Sequence, residues 1–297
     1  MTTEDQEFSH LDRAGQLAGN IARQPRTAVY GAVGLAVVLS WLVIAAMAVR
    51  GAEIRIGAAA SPGDSLVADL FHVPLPAFAE SFFALCLAPP PFGQSGPGAA
   101  IALTAMWFLM AVAMMLPSAA PMIRTYCEIA DTARGKAQAV VHPVVLVTGY
   151  LAVWMLAAAG FAAMTILLHA YRGGGALDPM LGIAGASALL LAGLYQFSGL
   201  KDACLKKCRN PFPILFARWS TRPASILRLG MEQGLWCLGC CWALMLVMFA
   251  VGVMNIFWMA VLALFTLVEK QTKGVLATRL AGAILLVWGT TLLLVSI

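Results

Sequence analysis

The chain has 297 residues, 61% of them hydrophobic and only 11% charged, with a formal net charge of +5. That charged share is about half of what a soluble domain carries, which excludes a water-soluble globular protein. The basic excess sits in loops beside apolar runs, so it gives no nucleic-acid-binding surface. Several runs approach or exceed the roughly 20 apolar residues that cross a bilayer. The expectation is an all-α, polytopic transmembrane helix bundle, one integrated unit rather than two soluble domains.

Residues 1–28 form a polar, charged lead, and residues 29–49 form the first span. No convincing cleavage site precedes Arg50, so this run reads as a retained span rather than a signal peptide. Residues 50–99 form a Pro- and Gly-rich extracytoplasmic loop. Within it, Pro76–Leu87 fits a short interfacial helix with Phe78, Phe82, Phe83 and Leu85 inward. Residues 100–297 make up the main bundle, with spans expected at 100–123, 142–169 and 180–197. A charged segment, 199–233, follows.

The next apolar run, 234–268, would reach about 52 Å as one helix, against about 30 Å of hydrocarbon. A hairpin broken near Gly252-Val-Met-Asn255 fits better, giving about seven spans instead of six. Its halves are short, so one is expected to be tilted or incompletely inserted. Seven spans also place the basic loops 124–136, 201–228 and 270–279 on one side with the N-terminus, as the positive-inside rule asks. The expected setting is a bacterial-type inner (plasma) membrane, with a cytoplasmic N-terminus. The final span is expected at 275–296.

Sulfur is the chemical signal. Trp236-Cys-Leu-Gly-Cys-Cys-Trp-Ala-Leu-Met245 places Cys237, Cys240 and Cys241 on one helical face, which Met245 and Met248 extend. Cys204 and Cys208 stand one turn apart among Lys201, Lys206, Lys207 and Arg209, cations that would favour thiolate. Met106, Met110 and Met114 form a thioether stripe, with Met115 beside it. The stripe ends at Pro117, which frees a backbone carbonyl and bends the helix. Soft sulfur donors suit a soft ion such as Cu(I). Zn(II) also takes thiolates but leaves the methionines unexplained. The total of seven cysteines is odd, and only Cys86 falls in an expected outer loop, which argues against a disulfide framework.

Other candidates carry less. Glu232 reads as a solvated carboxylate at a helix start or a neighbour of the cysteines, Glu269-Lys270 as an interfacial pair, and Asn255 as the hairpin cap. His72, His142 and His169 do not cluster. There is no hydrolase triad, no phosphate-binding glycine loop and no dinucleotide fingerprint, so no nucleotide cofactor is expected, and the chain reads as a binder rather than an enzyme.

Three blocks together resemble a known family. They are Ala113-Met-Met-Leu-Pro-Ser-Ala-Ala-Pro-Met122, Tyr195-Gln-Phe-Ser-Gly-Leu-Lys201 running into Cys204-x3-Cys-Arg-Asn-Pro211, and Cys237-Leu-Gly-Cys-Cys-Trp through Asn255 to Glu269-Lys270. They are similar to the DUF2182 family of predicted metal-binding integral membrane proteins, sometimes labelled copper chaperones, over roughly residues 100–290. The resemblance implies roles for Met114, Met115, Pro117, Pro121, Met122, Lys201, Cys204, Cys208, Arg209, Cys237, Cys240, Cys241, Trp242, Met245, Asn255, Glu269 and Lys270.

The leading expectation is a protein that binds Cu(I) through Cys237, Cys240 and Cys241, exchanges it with Cys204 and Cys208, and offers Met106, Met110, Met114, Met115 and Met245 as a weaker path. Its partners would be the lipid bilayer, the metal ion, and a membrane cuproenzyme or a metallochaperone. The rivals are a membrane thiol–disulfide oxidoreductase using Cys237 and Cys240, and a structural subunit whose sulfurs only pack.

Overall fold

The computed structural model describes residues 25–55, 83, 86, 97–172, 182–253 and 255–296. Among these residues the secondary structure is entirely helical. The order is α1 (Pro25–Arg55), α2 (Pro97–Met115), a 3₁₀ turn (Pro117–Ala119), α3 (Ala120–Gly135), α4 (Pro143–Arg172), α5 (Ile183–Gln196), α6 (Gly199–Arg209), α7 (Phe212–Ala217), α8 (Pro223–Val251), α9 (Ile256–Gln271) and α10 (Leu276–Ser296). Five of these helices, α1, α2, α4, α8 and α10, are long and apolar enough to cross a membrane. The α5–α6 pair, bent by 65°, makes a sixth if it counts as one broken span.

The run 234–268 is two helices. α8 stops at Val251, and Gly252 takes φ 100°, a left-handed region that favours glycine. Asn255 then caps α9 by accepting a hydrogen bond from the Trp258 backbone N–H at 3.2 Å. α9 has 16 residues and rises about 24 Å, short of the full hydrocarbon thickness. The charged segment after α5 is structured too. Ser198 caps α6 through the Lys201 N–H at 3.1 Å, and α7 follows Pro211. Most of the 50–99 loop, including His72 and all of Pro76–Leu87 except Phe83 and Cys86, lies outside the described residues. Those two are buried, and the Cys86 thiol donates to the Ala102 carbonyl.

Pro117 ends α2, as its missing N–H requires. The carbonyl it would have paired with, that of Ala113, instead accepts from the Trp41 indole of α1 at 3.1 Å. The Ala119 N–H turns to Leu116, leaving the Met115 carbonyl to accept from Ser118 Oγ at 2.7 Å and Tyr150 OH at 3.1 Å. The break therefore leaves its buried acceptors satisfied. It also brings a serine and a tyrosine into the interior at one level.

α8 is the axis of the bundle, packed by α4, α5 and α6. Its approach to α4 is set by glycine. A Cβ at Gly230 would stand 2.1 Å from the Leu146 carbonyl oxygen, and one at Gly149 would stand 2.2 Å from the Leu227 carbonyl oxygen. Gly234, one turn on, meets the Tyr150 carbonyl oxygen at 3.0 Å. Without a hydrophobic drive between helices in lipid, such small-residue seams let backbones meet. Gly230→Ala therefore forces two backbones apart. It should destabilise the bundle by at least the roughly 1–3 kcal/mol of ordinary overpacking, read as a lower thermal midpoint and loss of monodispersity in detergent. Gly160→Ala, on the exposed face of the same α4 with nothing within 4 Å of the new Cβ, should be neutral or slightly stabilising.

Candidate metal centre

Cys237, Cys240 and Cys241 occupy the buried face of α8 at 2%, 0% and 0% exposure. The Cys240 and Cys241 sulfurs are 3.3 Å apart, and the Cys240 thiol donates to the Cys237 carbonyl at 3.1 Å. The α6 helix adds a fourth thiol, since Cys208 Sγ lies 3.8 Å from Cys240 Sγ. Residues 32 positions apart are thus joined by sulfur, which the sequence allowed but did not require. Cys204, one turn earlier on α6, is buried against Gly239. Its Sγ sits 2.7 Å from where a Cβ on that glycine would stand. Gly239 is therefore the gap that lets α6 close onto α8. Its carbonyl also accepts from the Tyr195 hydroxyl, and Tyr195 packs edge-on against Trp242.

Three of the four cations expected around Cys204 and Cys208 have other partners. Lys201 is fully buried and pairs with Glu269, its Nζ 3.0 and 3.1 Å from the two carboxylate oxygens. Lys207 lies over the Trp236 ring at 3.3 Å, a cation–π contact. Arg209 donates twice to the Glu269 carbonyl, at 3.1 and 2.8 Å. Packing to α9 and α8 thus gives three of these cations, Lys201, Lys207 and Arg209, partners other than the thiols.

Glu269 and Lys270 are not an interfacial pair. Both are buried, and successive helical side chains diverge by about 100°, so they serve different partners. Glu269 takes Lys201 of α6 and the Thr278 hydroxyl of α10 at 2.8 Å. Lys270 Nζ donates to Ser118 Oγ at 2.7 Å and to Cys237 Sγ at 3.0 Å, and the Tyr150 hydroxyl lies 3.0 Å from the same sulfur. A buried ammonium requires an acceptor of matching charge, and Cys237 is the acidic group it touches.

A cavity of about 20 Å³ opens here, lined by Ser118, Ala119, Met122, Tyr150, Cys208, Gln233, Cys237 and Lys270. That volume holds one water or one ion. The side-chain nitrogen of Gln233, itself 3% exposed, has no hydrogen-bond partner among the described residues. Among the described residues, no three Cys, His, Asp or Glu side chains are gathered as a ready-made ligand set. The donors present are two thiols at the cavity wall, with Cys240 and Cys241 next to them.

The methionines run away from this point. Met106, Met110, Met114, Met115, Met245 and Met248 are all buried at 0–1% exposure. Met115 lies at the level of Cys237 through the shared Tyr150 hydroxyl. Further along, Trp107 of α2 stacks on Phe249 of α8, with ring centroids 5.2 Å apart. The two helices therefore run in opposite senses, with Met110, Met114, Met245 and Met248 between these two levels and Met106 just beyond the Trp107 level.

Other candidates stay apart. Glu232 pairs with Arg218 instead of the cysteines. His142 lies at the start of α4, where burial and the nearby Arg134 lower its pKa. The Cys127 thiol of α3 is pushed up by burial and then by Asp131. His169 has no described side chain. Tyr150, Ser118 and Gln233 line the cavity with little to mark them in the sequence: Ser118 belongs to the Met-Met-Leu-Pro-Ser block, while Tyr150 and Gln233 belong to no motif.

Removing one partner of a buried ion pair leaves a stranded charge, at a cost of about 3–5 kcal/mol. Glu269→Gln should therefore lower the unfolding midpoint sharply and loosen α6, seen as faster alkylation of Cys208. Lys201→Met combined with Glu269→Leu should recover much of the loss.

No curated protein and no solved structure matches the chain. Residues 104–292, more than half of the chain and including every cysteine described above except Cys86, match the family model PpoB2, described as copper chaperone; the chain belongs to this copper chaperone family.

Proposed function

We propose that this multi-pass membrane protein binds Cu(I) through cysteine thiolates inside its bundle, for delivery or transport. The observation that carries the reading is the meeting of α6 and α8 at sulfur, with Cys240 3.3 Å from Cys241 and 3.8 Å from Cys208. With metal–sulfur bonds of about 2.3 Å, two sulfurs sharing one ion stand roughly 3.8 Å apart at a tetrahedral angle and roughly 4.6 Å apart in line. The Cys208–Cys240 pair already falls in that range, beside an ion-sized cavity. Cys237, Cys240, Cys241 and Cys208 are the primary donors in this reading, with Cys204 at their flank. Met115, Met114, Met110, Met106 and Met245 form the softer, charge-free route away from the site.

Residues 100–297 form the metal-handling unit. The N-terminus and the basic segments around α3, α6 and the α9–α10 turn face the cytoplasm, as their charge favours. Cys208, which is half-buried, then exchanges the ion with a cytoplasmic metallochaperone, and the methionine end serves a membrane cuproenzyme.

One contact favours a second reading. A thiol held against a lysine ammonium is the environment of an activated, redox-active cysteine, which suits thiol–disulfide exchange by Cys237. Anaerobic protein loaded with Cu(I) or Zn(II) and challenged with a chelator separates the two. The expected result is stoichiometric Cu(I) retained over Zn(II), lost in Cys237→Ser/Cys240→Ser/Cys241→Ser and weakened in Cys208→Ser. Unchanged Cu(I) retention in the triple variant would falsify the proposal. A reversible Cys237 disulfide without metal retention would establish the redox reading instead.

A further inference from the structure

We infer that the protein holds a second soft-metal site, built from thioethers alone, where Met47, Met106, Met110, Met245, Met248 and Met259 converge from four helices at the level of Trp107. The inference extends the soft-metal reading above and rests on it for the class of ion. Its ground is that each of these side chains is 0–1% exposed and belongs to one continuous core.

The shared level follows from contacts between the helices. The Phe249 ring of α8 stacks on Trp107 of α2, with centroids 5.2 Å apart. Met248 adjoins Phe249 and Met245 lies one turn back, while Met106 and Met110 flank Trp107. α1 runs antiparallel to α2, since Arg26 pairs with Asp131 and the Trp41 indole donates to the Ala113 carbonyl. Met47 lies six residues after Trp41, and Trp107 six before Ala113. Six residues rise about 9 Å on either helix, so Met47 reaches the Trp107 level. α9 packs on α2 in the same sense, for it starts just beyond the α8 end and its last turn meets Ser118 through Lys270 at 2.7 Å. Met259 and Trp107 each stand eleven residues before that contact, a rise of about 16 Å.

On the α4 side, Phe161 stacks on Trp107 at 4.9 Å and the Thr165 hydroxyl accepts from its indole at 3.0 Å. No ionisable residue stands within one turn of Trp107, Phe161, Phe249 or Met259 on its own helix. The soft donors offered to an ion there are thioethers, which suit Cu(I) or Ag(I). Methionine is unbranched and flexible, so its sulfur can turn toward an ion without backbone movement. Neutral donors do not compensate the ion's charge in an apolar interior. The site is therefore weaker than one of thiolates, as suits an ion in transit. Filling a core does not call for sulfur at one level on four helices, since leucine fills a similar volume.

Because this site is the weaker one, it is read without a chelator. Redox-stable Ag(I) is titrated by equilibrium dialysis into the full chain in detergent, as wild type and as Cys237→Ser/Cys240→Ser/Cys241→Ser. The cysteine variant should still bind Ag(I), more weakly than wild type. Adding Met47→Leu/Met248→Leu/Met259→Leu should weaken that binding by about tenfold or more, at least the effect of losing an outer-sphere partner. Adding Met155→Leu, at an exposed position of α4, should leave it unchanged. The single leucine replacements, each expected to weaken Ag(I), serve where the combined variant does not fold. A cysteine variant that binds no Ag(I), or whose Ag(I) is unmoved by the methionine replacements, overturns the inference and leaves the thiolate site standing. Wild type and cysteine variant binding alike, with loss on methionine replacement, overturns the thiolate site alone. Wild type that binds no Ag(I) overturns both.

Discussion

Two lysine ammonium groups lie inside an apolar bundle, and the rest of the structure is arranged to match them. An unpaired charge in such surroundings is far more costly than a lost apolar contact. Lys201 is matched by Glu269, and Lys270 is matched by Cys237 and Ser118. Because Glu269 and Lys270 are neighbours on α9, one short helix fixes both. Through them α9 is bound to α6 and α10 on one side and to α8 and the Pro117 turn on the other. A helix rising about 24 Å would be a weak membrane anchor by itself. Here its end is held by polar contacts on two faces.

This arrangement links stability to chemistry. The contact that satisfies Lys270 also places a cation on the thiol most central to the candidate site. The contact that satisfies Lys201 holds α6, and α6 carries Cys208 to within 3.8 Å of Cys240. Glycine permits the approach, since Gly239 leaves room for the Cys204 sulfur and Gly230 and Gly149 let α8 and α4 meet at backbone distance. Pro117 does the same for α2. By breaking the helix it redirects the Met115 carbonyl to Tyr150, whose hydroxyl also touches Cys237.

Membership in a copper chaperone family agrees with the sulfur-rich interior. Among the described residues the candidate site consists of sulfur pairs beside a small cavity, with no three Cys, His, Asp or Glu side chains gathered as a ready-made ligand set.

Sequence by itself determined that the chain is a helical membrane bundle, since apolar run length and missing charge leave no other fold in which backbone groups are satisfied in lipid. It located the break at Gly252 and the Asn255 cap, because turn chemistry is local. It also singled out the cysteines and methionines, because helical spacing alone puts them on one face. Tertiary structure decided which of them meet. Cys208 joins the α8 cysteines while Cys204 packs against Gly239, and nothing in their spacing separates the two. It decided that Lys201, Lys207 and Arg209 of α6 contact Glu269 and Trp236, and that Lys270 enters the site while its neighbour Glu269 faces away. Such pairings depend on which helix lies opposite at a given level. Charge and burial across residues tens to more than a hundred positions apart fix that choice, and no local pattern records it.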